Sequence, residues 1–81
     1  MTESEILRII KNIASDIMNV SSDIISIETK QEDIIEWDSL SHLRLIMSIE
    51  EEFSVKFSMI EIPKLKSIRL LINEIIRQTT K

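Results

Sequence analysis

Residues 37–53 read Trp37-Asp38-Ser39-Leu40-Ser41-His42-Leu43-Arg44-Leu45-Ile46-Met47-Ser48-Ile49-Glu50-Glu51-Glu52-Phe53. Leu40, Leu43, Ile46, Met47 and Phe53 recur at helical spacing, with Leu45 and Ile49 alongside. The spacing predicts an amphipathic helix from Asp38 to Glu52. Asp38 is a good N-cap type, because its carboxylate can accept an unpaired N–H of the first turn. Three consecutive glutamates end the helix, at a small cost, because acidic groups oppose the dipole there. Ser39 then stands in the first turn, exposed at the end of a rigid element. The free N–H groups and the positive dipole end favour an anion beside it.

Upstream, Ile6, Ile9, Ile10, Ile13 and Ile17 share one helical face, widened by Leu7 and Ala14. They predict a first helix from about Ser4 to Met18, capped by Thr2 or Ser4. Asn19 to Glu36 reads as a long loop that its isoleucines tie to the core. Isoleucine also favours strands, so Ile24 to Ile27 has the composition of a short β segment. Downstream, Ser58-Met59-Ile60-Glu61 has capping-box spacing and predicts a short third helix that Pro63 soon ends. Ser67 caps a final helix with Ile68, Leu71, Ile72, Ile75 and Ile76 on one face. The expected fold is all-α: one domain over residues 1–81, with little or no strand. It is a small four-helix bundle of three longer helices and one short third helix. A long loop joins helices 1 and 2.

The 81 residues suit one domain with a modest core, a poor place for a deep catalytic pocket. The net charge of −4 repels phosphate backbones, so nucleic acid is not an expected partner. It suits partners with basic patches. With no cysteine there is no disulfide framework and no thiolate zinc site. Glu50, Glu51 and Glu52 lack the converging ligands of a metal site. The start Met1-Thr2-Glu3-Ser4-Glu5 does not resemble a signal peptide, and no apolar run is long enough for a membrane span. A cytoplasmic monomer is expected.

Asp38-Ser39-Leu40 opening an amphipathic helix that ends Ile49-Glu50-Glu51-Glu52-Phe53 resembles the signature of the acyl carrier proteins. The form Trp37 to Leu43 looks like that of small free-standing bacterial carriers. The resemblance extends over nearly the whole chain. It implies that a phosphopantetheinyl transferase moves 4′-phosphopantetheine from coenzyme A onto the Ser39 hydroxyl. Cargo is then held as a thioester on the arm. It also implies that Asp38 helps position the transferase's magnesium ion. Leu40 and Met47 would meet partner enzymes, with Glu50 and Glu51 docking their basic surfaces. Those partners would be an acyl- or aminoacyl-loading enzyme and an acyltransferase or synthase. The chain itself would not be an enzyme.

Two other readings stand beside this one. The chain is an aminoacyl, D-alanyl or peptidyl carrier, or it is an unmodified helical interaction module whose Ser39 only caps. A Ser39–His42–Asp38 hydrolase triad is disfavoured, because neighbours on one helical turn do not let a base bridge nucleophile and acid. His42 is expected to be partly exposed near the arm. Trp37 is expected to pack back onto the first turns. The chain departs from the fatty-acid-synthesis carriers at several points. Glu36 stands where they usually have glycine, and Ser41 and Arg44 occupy positions that are often acidic. Lys56 follows the helix, and Lys64, Lys66 and Arg69 make the last third basic. These departures imply a specialised partner set.

Overall fold

Three α-helices surround the core in the computed structural model, which describes residues 1–80: α1 (Glu3–Met18), α2 (Ser39–Phe53) and α3 (Ile68–Thr79). Each begins at a residue chosen for its side-chain oxygen. Thr2 and Glu5 form a reciprocal capping box at α1, with bonds of 3.1 and 2.8 Å. Asp38 caps α2, and Ser67 accepts the Leu70 N–H at 3.1 Å to cap α3. α1 and α2 end on left-handed residues, Asn19 and Ser54. Asparagine tolerates that region through its short polar side chain, whereas Ser54 bears a small steric cost.

The core is mostly isoleucine. Ile6 and Ile10 of α1, Leu45, Ile46 and Ile49 of α2, and Leu71, Ile72 and Ile75 of α3 are almost fully buried. The loop between α1 and α2 joins this core as its isoleucines imply: Ile25 and Ile34 are buried in it and Ile27 packs against it. It forms no strand. Ile24 ends a 3₁₀ turn over Ser22–Ile24, and Ile25 is extended but unpaired. One isolated antiparallel bridge, Lys30 to Ser67, is the sole ladder contact among the described residues. Beside it, the Gln31 N–H donates to the Lys66 carbonyl (2.7 Å) and the Ile68 N–H to the Thr29 carbonyl (3.0 Å). The loop is thus stitched to the start of α3. Among the described residues no helix is long and apolar enough to cross a membrane.

Three expectations need correction. The capping box at Ser58 and Glu61 does form, with bonds of 3.1 and 3.2 Å, but no helix follows it. The chain makes a turn and then a 3₁₀ turn over Ile62–Lys64. Pro63 has no N–H for a bond back to Met59, so a second α-helical turn cannot propagate. Three helices and a capped turn take the place of the four-helix bundle.

The second correction concerns α2. Its buried stripe is His42, Leu45, Ile46, Ile49 and Phe53. Leu40, Leu43 and Met47 are exposed, by 58%, 47% and 67%. At 100° per residue these three share a separate arc, so α2 carries two apolar faces and only one can meet the core.

His42, expected near the surface, is only 5% exposed. The Trp37 indole N–H donates to its Nδ1 at 2.9 Å, and its Nε2 lies 2.9 Å from the Ile62 carbonyl. An indole N–H can only donate, so Nδ1 is the acceptor and Nε2 carries the proton given to Ile62. The two rings sit 5.8 Å apart, and Trp37 is buried, as its place before the cap suggests. This chain of bonds links the end of the loop, the first turn of α2 and the segment leading to α3.

His42→Ala strands a buried indole N–H and a carbonyl and opens a cavity. It is expected to lower the unfolding free energy by about 2–3 kcal/mol, read from the urea midpoint at constant slope. His42→Gln, which can still offer one donor and one acceptor, should recover part of that loss. An unchanged midpoint for the alanine variant would show that these bonds do not hold the fold.

Candidate functional site

Ser39 is the first residue of α2 and is exposed. Its backbone is fixed by the cap before it and the buried His42 one turn after it. Its hydroxyl makes no hydrogen bond to the described residues, although two first-turn N–H groups after it are engaged. The His42 N–H bonds the Asp38 carbonyl at 2.9 Å, and the Ser41 N–H bonds the Asp38 carboxylate at 2.8 Å. The Ser41 backbone N–H, then the Ser41 side chain, hold the Asp38 carboxyl below the usual aspartate range. Asp38 is therefore anionic and points along the helix start, beside a free nucleophilic oxygen.

The imidazole lies nearby but does not serve that oxygen. Both ring nitrogens of His42 are occupied, one by Trp37 and one by Ile62. The imidazole is therefore not placed to take the Ser39 proton. What the site offers is access. A shallow groove of about 350 Å³ opens at Ser39, bounded by Leu43 on one side and by Ile62, Pro63 and Lys66 on the other. An exposed hydroxyl with no competing partner, set among first-turn N–H groups, fits esterification by a phosphate.

The other residues singled out in the sequence divide by environment. Leu40 and Met47 lie exposed on the outer face of α2, together with Leu43, which the spacing had put in one stripe with Ile46 and Phe53. Glu51 is exposed on the same helix. Glu50 is half-buried, and one of its oxygens accepts the Phe57 N–H at 2.9 Å, which fixes the chain after α2. Met59 and Ile60 were read as part of a helix. They stand in the turn before Pro63, exposed by 83% and 73%. The signal available for Leu43 was the double apolar arc of α2. For Met59 and Ile60 it was the nearness of Pro63.

Residues 8–75 match the family described as a phosphopantetheine attachment site. The acyl carrier protein of Cyanidium caldarium is 30% identical over 76 residues, covering 94% of this chain and 88% of its own. That of Thermosynechococcus vestitus is 36% identical over 69 residues, 85% of each chain. That of Chlorobium phaeobacteroides is 32% identical over 78 residues, 96% of this chain and all of its own. With matches running through all three helices and a serine free for esterification, the chain belongs to the acyl carrier protein family, whose prosthetic group is 4′-phosphopantetheine.

Proposed function

We propose that Ser39 is the attachment point and that the chain carries an acyl group to partner enzymes in a specialised pathway. The observation that supports this reading is the Ser39 hydroxyl: exposed, unpartnered and held in the first turn of a helix whose other face is core. In the transfer, the Ser39 oxygen forms a phosphodiester and its proton leaves to a base on the transferase. The coenzyme A phosphoanhydride bond breaks in exchange, and adenosine 3′,5′-bisphosphate leaves. Once bound, the group supplies a thiol that holds cargo as a thioester.

The chain contributes position and charge rather than catalysis. Asp38 places a carboxylate beside the entering phosphate. Two adjacent anions repel, and a divalent cation between them relieves that repulsion, so we assign Asp38 to positioning the transferase's magnesium ion. Leu40, Leu43 and Met47 form the face that partners grip, with Glu51 beyond them. Glu50 adds less to that face because it holds the Phe57 N–H. The partners are a phosphopantetheinyl transferase, an acyl- or aminoacyl-loading enzyme, and an acyltransferase or synthase. They would meet the carrier as a monomer in the cytoplasm. Arg44, exposed among the gripping residues, favours partners other than the general fatty-acid enzymes.

Incubation with coenzyme A, magnesium and a broad-specificity transferase should add the mass of one phosphopantetheinyl group. Ser39→Ala should keep its helical spectrum and gain nothing. Modification of that variant, or none of the parent beside a modified control carrier, would overturn the assignment. Asp38→Asn keeps a good capping oxygen and loses the charge, so it should fold normally yet be modified at least about tenfold more slowly. Asp38→Ala should lose both. Equal rates for Asp38→Asn and the parent would reduce Asp38 to a cap.

A further inference from the structure

We infer that the arm, once on Ser39, folds back across Gln31 and Lys66. It rests in the groove between the loop before α2 and the start of α3. The inference depends on Ser39 being the attachment point.

Two depressions meet at this place. The smaller, about 350 Å³, opens at Ser39. The larger, about 770 Å³, has apolar walls from Ile34, Ile35, Trp37 and Leu70. Its size lies within the range of small-molecule sites, about 300–1,000 Å³. Gln31 and Lys66 line both, so the two depressions adjoin across that pair, which forms the saddle between them. That saddle is fixed. The Gln31 N–H bonds the Lys66 carbonyl at 2.7 Å, and the Gln31 side-chain amide bonds the Trp37 carbonyl at 3.1 Å.

The lining matches the arm's chemistry from root to tip. A phosphodiester at Ser39 is an anion, and Lys66 on the saddle has no carboxylate within 4.0 Å among the described residues. Beyond the phosphate, the arm alternates a branched hydrocarbon with two amides, a sequence that suits apolar walls under a polar rim. The groove also leaves apolar surface uncovered: Ile35 is 95% exposed and Leu70 43%. Covering such surface is favourable, by about 25 cal/mol per Å². Tethering supplies an effective concentration of the order of millimolar, so weak contacts suffice to bias the arm. The rival surface around Leu40 and Met47 is the convex side of a helix, and neither residue lines either depression. An arm resting in the groove leaves that face clear for partners.

The test uses the full chain, converted by a transferase and checked by intact mass, with a nitroxide maleimide on the arm thiol. Methyl signals of Ile34, Ile35 and Leu70 should lose most of their intensity, while those of Met47 and Met59 keep most of theirs. Ile35→Glu with Lys66→Glu changes only exposed side chains and should return the Ile34 and Leu70 signals. Equal broadening on both sides, or stronger broadening at Met47, would overturn the resting site and leave Ser39 as the attachment point. An unchanged mass would overturn both.

Discussion

The chain of hydrogen bonds from Trp37 through His42 to Ile62 is the constraint on which the site depends. It is buried and both nitrogens of one ring are used, so its partners cannot drift apart without stranding a polar group. It fastens the loop end, the first turn of α2 and the segment before α3 to one point. Asp38 and Ser39 lie between Trp37 and His42 in sequence, so they are held from both sides. A short loop-to-helix junction becomes a rigid post, and the serine hydroxyl is its tip.

On the proposed reading, a domain with modest core takes part in acyl chemistry that its partner enzymes perform. In the proposed transfer the base, the metal and the reacting pocket belong to the transferase. The carrier needs a hydroxyl that stands clear of its own structure and an imidazole that leaves that hydroxyl alone. His42 meets the second need by being committed elsewhere. The exposed apolar arc of α2 is the complement of the same design. Burying one arc under the core leaves Leu40, Leu43 and Met47 facing outward beside the serine.

Much of the fold was legible because its signals are local. The oxygens of Thr2, Asp38 and Ser67 mark the helix starts, and the isoleucine spacing of α1 and α3 marks their inner faces. The long loop read correctly as tethered, since Ile25 and Ile34 had to go somewhere. Non-local facts were harder. Two apolar arcs on α2 give no periodicity that tells which is buried, so Leu43 was read in one stripe with the buried Ile46 and Phe53. The burial of His42 depends on a tryptophan five residues before it and a carbonyl twenty residues after it. No spacing rule reports such a pairing. The capping box at Ser58 was real, but one proline outweighed it. Ser39 was singled out because Asp38-Ser39-Leu40 at a helix start resembles the carrier signature; the helix start itself is where the sequence put it. The use of Glu50 to hold Phe57 was not legible.

The central claim is that His42 is spent on structure, which leaves Ser39 free to bear the arm. The most direct test is the tautomer and bonding of the His42 ring, read from its two nitrogen shifts together with the exchange rate of the Trp37 indole proton. The phosphopantetheinylated protein is the form to measure. The account predicts a proton on Nε2, an accepting Nδ1 and a slowly exchanging indole proton, the same before and after the arm is added. A proton on Nδ1, or an indole proton that exchanges as fast as in an unfolded chain, would contradict it.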